Sequence, residues 1–253
     1  MSKYRHPEST VQVRSLGVTF RNQPAPRVLH DSATWHQLIY ATRGVITVIT
    51  REGTWVVPPH RGFWIPAGFS FRIQTAGEVA FRTLYLLAGR RRLARRCSVV
   101  NVTPLLRELI IRTNLIGALD TSIPQQRRMV GVIYDELKML ESVPLQLPLP
   151  QEPRAEHFVK LAANQDRHKL PVRQLMRRAG VSRRTLERIF RAETSMSLGQ
   201  WLRRQKLLHA LRLLAAGDSV KTISIELGYN SPSAFVAMFR RELGQTPARY
   251  FEA

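Results

Sequence analysis

From residue 155 onward this 253-residue chain contains itself twice, and that repeat constrains its fold more than any other feature. Val172-Arg-Gln-Leu-Met-Arg-Arg-Ala-Gly180 recurs as Val220-Lys-Thr-Ile-Ser-Ile-Glu-Leu-Gly228, an offset of 48. Past the turn the offset becomes 49: Leu186 matches Phe235, Phe190 matches Phe239, Glu193 matches Glu242 and Trp201 matches Tyr250. Each copy reads as a short helix, a turn beginning at glycine, and a second helix opened by a serine cap, Ser182 or Ser231. This is a duplicated helix-turn-helix.

The second helices are two-faced. Leu186, Ile189 and Phe190 fall at i, i+3 and i+4 and should face a core, leaving Arg184, Glu187, Arg188 and Arg191 on the other side. Phe235, Met238 and Phe239 repeat the inward triplet, with Ser233, Val236, Ala237 and Arg240 outside. The first copy is thus equipped to hydrogen-bond bases, the second for one phosphate contact with apolar or shape readout. Ser197-Leu-Gly-Gln200 has capping-box spacing, and Trp201, Leu208, Leu211 and Leu214 share one face as far as Gly217. A connecting helix of some 18 residues would span roughly 27 Å, holding two recognition helices near one DNA turn apart.

Charge agrees without locating the contact. Thirty-nine Lys and Arg against 18 Asp and Glu leave +21, divided +11 and +10 about Pro150, so a polyanionic partner is expected but neither half is singled out. The run Arg90, Arg91, Arg92, Arg95 and Arg96 reads as a solvated loop. One cysteine, Cys97, excludes a disulfide framework within the chain and a thiolate zinc site. Neither a signal peptide nor a spanning apolar run is legible, so a cytoplasmic protein with no membrane partner is expected.

Residues 11 to 87 follow hairpin grammar: Val45 to Thr50 is an extended run, Arg51-Glu52-Gly53 turns and Thr54 to Val57 returns. Glycines at 44, 53, 62, 68 and 77 favour a small antiparallel barrel or jelly roll. Thr103 and Pro104 open a helix that Gly117 stops, and a second begins near Pro124. Its stripe, Val130, Ile133, Leu137 and Leu140, suits either packing on the chain's own barrel or a homodimer seam. Three prolines between Val143 and Pro150 predict an extended linker.

The run Leu227-Gly-Tyr-Asn-Ser-Pro-Ser-Ala-Phe235, with Phe239-Arg240 and Gly244-Gln-Thr-Pro247 to Tyr250, resembles the AraC/XylS-type bacterial transcription regulators over about residues 155 to 252. The resemblance implies double-stranded DNA as partner, with base reading by Arg184, Glu187, Arg188, Ser233 and Ala237. It implies backbone contacts from Arg183, Arg191, Ser231 and Arg240, with RNA polymerase a further partner. Met176 stands where the family usually has a small residue and Ser195 where it usually has glycine. The stretch from His30 to Phe71 is similar to the cupin barrels such regulators carry. On the metal-cupin pattern His30 fits the first histidine, Ser32 the second, Gln37 the glutamate and Phe71 the last histidine, so one ligand of four remains. No metal, no cofactor and no catalytic residue is therefore expected. His36 reads as exposed or core-satisfied before it reads as a shifted ligand.

Together these features predict an α+β chain of two domains: a cupin-like antiparallel barrel over 1–100, helices over 101–142, a linker over 143–154 and an all-α double helix-turn-helix over 155–253. The expected activity is sequence-specific regulation of transcription, not enzymatic turnover. A small-molecule effector would be held among His30, Gln37, Tyr40, Trp55, Trp64 and Phe71. A cupin enzyme tethered by its C-terminal half, or a DNA-coating protein without sequence choice, stays open on sequence alone.

Overall fold

A computed structural model describes residues 10–21, 33–89, 93–163 and 170–252. The N-terminal half forms one sheet from β1 (Val11–Arg21), β2 (Trp35–Thr50), β3 (Gly53–Val57), β4 (Arg61–Ile65), β5 (Arg72–Leu87) and β6 (Ser98–Asn101). Three short strands, β7 (Ala118–Asp120), β8 (Ser142–Val143) and β9 (Gln146–Pro148), extend it. The path runs β7-β1-β5-β2-β4-β6-β8, with β3 on β2 and β9 on β3. The expected hairpin is present, Thr50 opposing Gly53 across an antiparallel pair. Two register shifts flanking Arg43 bend β2 against β5, and the opposite edge of β2 pairs with β4 in its first half and with β3 in its second.

The expected barrel does not close: among the described residues no pairing joins β7 to β8. Helices cover both faces, so closure is not needed to bury them, and the terminal strands are only three and two residues long, leaving little open edge. Alternation along β2 divides its side chains between two cores. Leu38 and Tyr40 join Leu84 and Leu86 beneath α1 (Pro104–Ile116) and α2 (Pro124–Lys138). Ile39 and Ala41 join Phe63 and Phe81 in a second core, which continues into the C-terminal helices through Phe158, Phe190 and Trp201.

Thr103 caps α1, its hydroxyl accepting from Leu106 N at 3.0 Å, and Gly117 ends it. The α2 stripe is taken up by the chain's own sheet: Val130, Ile133 and Leu137 are buried there beside Tyr134. The proline-rich segment runs extended, but as sheet, with β8 on β6 and β9 on β3.

Among the described residues seven helices follow: α3 (Pro153–Ala163), α4 (Val172–Arg178), α5 (Arg183–Thr194), α6 (Leu198–Ala216), α7 (Val220–Glu226), α8 (Pro232–Leu243) and α9 (Pro247–Glu252). The longest, α6, lies against β2, β3, β5 and β9. Trp201 Nε1 donates to the Pro148 carbonyl at 2.7 Å, and the Arg204 guanidinium donates to the carbonyls of Pro144 and Gln146. One edge of the sheet is thus fastened to the middle of the helical half.

Candidate nucleic-acid interface

The repeat folds as two matched helix pairs, α4 with α5 and α7 with α8. Ser182 Oγ accepts from Thr185 N and Ser231 Oγ from Ala234 N, each at 3.1 Å, which fixes where α5 and α8 begin. Leu186, Ile189 and Phe190 are buried, as are Phe235, Met238 and Phe239. Phe190 sits edge-on to both Phe158 (6.2 Å) and Trp201 (5.2 Å), while Phe239 meets Phe235 at 5.9 Å and Tyr250 at 5.6 Å. Full burial of each ring contributes roughly 1.5–3 kcal/mol, so the inward faces settle how the two helices are rotated.

That rotation turns the polar residues outward. Arg183, Arg184, Arg188 and Arg191 on α5 are exposed, and none pairs with a carboxylate among the described residues. Ser233, Ala237 and Arg240 are exposed on α8, and Ser231 is half-buried as its cap. Glu187 differs from its neighbours: half-buried, it accepts the Leu198 backbone N–H at 3.3 Å, so one carboxylate oxygen serves the first turn of α6. Met176 lines the cleft of about 910 Å³ that α4, α5 and α6 enclose beside Glu187.

The spacer is rigid by construction. Ser197 and Gln200 form a reciprocal capping box, with bonds of 3.2 and 2.8 Å, and nineteen residues follow to the left-handed cap at Gly217. That length is roughly 28 Å at 1.5 Å per residue. Lys206 Nζ donates to the Leu227 carbonyl at 2.8 Å and ties the end of α7 to α6. Ser195 caps α5 with φ 56°, the conformation Gly244 adopts at the end of α8 with φ 79°.

Of the six residues expected around an effector, the four aromatics divide between two cores. His30 lies outside the described residues, as does Ser32. Trp55 and Phe71 belong to the core shared with the helical half, whereas Tyr40 and Trp64 belong to the core under α1 and α2. Gln37 is buried, its Oε1 without a partner among the described residues, and so is the Thr83 hydroxyl, whose residue pairs with Ile39 on the neighbouring strand. A buried Phe71 supplies no donor and Gln37 only an amide, so this set does not fit a metal ion. His36 is core-satisfied on one nitrogen, its Nδ1 accepting from Ala67 N at 2.9 Å with the ring against Trp64. Burial pushes the Cys97 thiol up to about 12, which keeps it protonated and poorly nucleophilic.

Sequence reasoning missed the residues that join the two halves. Arg204 reaches the proline-rich segment, Glu193 Oε2 accepts from Gln151 N at 2.6 Å and Glu152 N at 3.2 Å, and Arg61 packs on Tyr250. Glu193, Trp201 and Tyr250 stood out as marks of the repeat, not as contacts to the N-terminal half. An acid and two aromatics kept at equivalent positions was the available signal.

A family model described as a helix-turn-helix domain matches residues 175–253. The HTH-type transcriptional regulator NimR of Escherichia coli (strain K12) is 32% identical over 214 residues, covering 85% of this chain and 78% of NimR. The regulatory protein SoxS of Salmonella typhimurium (strain LT2) is 36% identical over 75 residues, 29% of this chain and 70% of SoxS. Among solved structures, the DNA-binding domain of AdpA in complex with a target DNA is 39% identical, covering 40% of this chain and 92% of that one, with a TM-score of 0.36.

Proposed function

Since this chain belongs to the AraC/XylS-type family of helix-turn-helix transcription regulators, which bind DNA, we propose that it selects its sites by sequence and is controlled by a small molecule held in its N-terminal half. One observation carries the sequence reading: α5 presents four exposed arginines without carboxylate partners among the described residues, on a helix whose other side is locked into the core. Arg184 and Arg188 are the base readers, since a guanidinium can pair bidentately with guanine in the major groove. Glu187, with one oxygen held at α6, offers its other to a cytosine amino group. Ser233 and Ala237 present a small face to the second groove, suited to a thymine methyl or to shape readout. Arg183, Arg191, Arg240 and Ser231 contact phosphates and set the register.

The shared helix supports control by a ligand. Because α6 both spaces the recognition helices and lies on the sheet, a ligand that prefers one arrangement of the sheet shifts the population able to span two grooves. Selection of bound duplexes from a random pool, followed by competition at moderate salt, tests the sequence reading. A selected duplex should outcompete random DNA by at least about 10³-fold; equal competition would reduce the protein to a nonspecific coat.

A further inference from the structure

On the face of the sheet that α1 covers, a cavity of about 290 Å³ opens among Tyr40, His60, Arg82, Arg107 and Asn114. Two arginines border this small space, and among the described residues no carboxylate lines it. Arg82 donates to the Phe81 carbonyl at 3.1 Å and pairs with no carboxylate among the described residues. Arg107 is approached by Glu108 at 3.8 Å along α1, too far for a strong bond. The absence of a side chain at Gly17 permits this convergence: a Cβ there would stand 2.7 Å from Asn114 Oδ1 and 2.9 Å from Arg82 Cδ.

The remaining polar groups are neutral donors. The Tyr40 hydroxyl lies 3.5 Å from His60 Nδ1. Burial holds the Tyr40 phenol above its ordinary range, while burial, then Arg107 and Arg61, hold the His60 imidazole below its own. Near neutral pH both are uncharged, and with one hydrogen bond between them the pair keeps one hydrogen to offer. Ile111 and Leu115 supply an apolar wall on the α1 side. Paired cations, neutral donors and one greasy wall in a space at the small end of ligand pockets describe a short-chain organic anion, since planar guanidiniums match a carboxylate bidentately.

We propose that this cavity binds a small monocarboxylate, its carboxylate between Arg82 and Arg107 and its carbon chain along Ile111 and Leu115. The site deepens the effector reading by giving the ligand a chemical class, and it rests on that reading for any consequence at DNA. His60 borders the cavity, and the next residue, Arg61, packs on Tyr250 of α9, so the ligand would sit one residue from a contact between the halves.

Calorimetry on the full chain without DNA tests the site, with hexanoate as probe, hexanamide as its uncharged counterpart and inorganic phosphate as a second anion. Hexanoate should bind, with hexanamide and phosphate each at least about tenfold weaker, and Arg82→Gln or Arg107→Gln should weaken hexanoate by about tenfold. Leu115→Glu, at an exposed position on the rim, places a negative charge at the mouth without disturbing the core and should weaken hexanoate likewise. Equal binding of hexanoate and hexanamide, a preference for phosphate, or unchanged hexanoate affinity in the folded Leu115→Glu protein would each overturn the assignment. Failure to bind hexanoate leaves duplex selection untouched, and failure to select a duplex leaves the calorimetry untouched, so the two readings fall separately.

Discussion

The Arg61 guanidinium lies 5.5 Å from the centre of the Tyr250 ring, joining the start of β4 to the last helix of the chain. Tyr250 in turn packs edge-on against Phe239 of the second recognition helix. Trp201, its counterpart in the first copy, donates to the Pro148 carbonyl. The two equivalent aromatics therefore both touch the N-terminal half, each within its own copy's core.

The Arg61–Tyr250 contact should be measurable as a coupling. A double-mutant cycle with Arg61→Ala and Tyr250→Leu, read by urea unfolding, is expected to give an interaction of about 1 kcal/mol, in the range of a partly desolvated cation on an aromatic face. Strict additivity of the two changes would remove this contact from any account of how the halves communicate.

At the DNA face, Arg184→Ala and Arg188→Ala should each lose about 1–3 kcal/mol of discrimination at one base pair, while Arg240→Ala weakens all sequences alike and lowers the salt slope by about 1. Binding to a set of singly substituted duplexes across salt concentrations separates the two behaviours. Uniform weakening by all three variants would contradict the assignment of α5 as base reader.

Ser195→Gly should raise stability by about 0.5–1 kcal/mol, because Ser195 sits at φ 56° without the freedom glycine has there. Phe190→Ala should act in the opposite sense, costing about 3–5 kcal/mol, since the ring is fully buried between Phe158 and Trp201. Thermal and urea unfolding of the two variants check both signs.

Acid should destabilise the fold through His36. Burial lowers its affinity for a proton below the ordinary 6.5, and its Nδ1 is already an acceptor for Ala67 N. The unfolded chain then binds more protons than the native one as pH falls through about 6.5, so the contribution is intact above that value and is lost below it. His36→Asn, which keeps an acceptor but does not titrate, should flatten part of the fall in unfolding midpoint between about pH 7.5 and 5.5. His60, shifted the same way, accounts for a remainder. An unaltered slope in the variant would assign the acid sensitivity elsewhere.

The helical half was legible because its signals are local and doubled. Ser182, Ser197 and Ser231 cap where their spacing predicts, Gly117 and Gly217 end their helices, and the inward triplets are buried. The sheet was legible as hairpins but not as a whole, since closure depends on which distant strands meet and on helices covering the faces. The aromatics at 40, 55, 64 and 71 shared a stretch of sequence but not a side: strand alternation and turns sent Tyr40 and Trp64 to one core and Trp55 and Phe71 to the other. Arg82 and Arg107 carried no signal, because an arginine facing a cavity and one facing solvent look alike until strand and helix are brought together.

The segment from Ser142 to Pro148 is itself no free hinge. Its backbone is bonded to β6 and β3 on one side and reached by Trp201 and Arg204 on the other, so swinging the halves apart would mean peeling off two strands and baring the Trp201 indole together. Ligand control of the kind proposed would then work through slight sliding across a tight joint, or else through an all-or-none release that would open the peptide bonds around Leu145 to a protease.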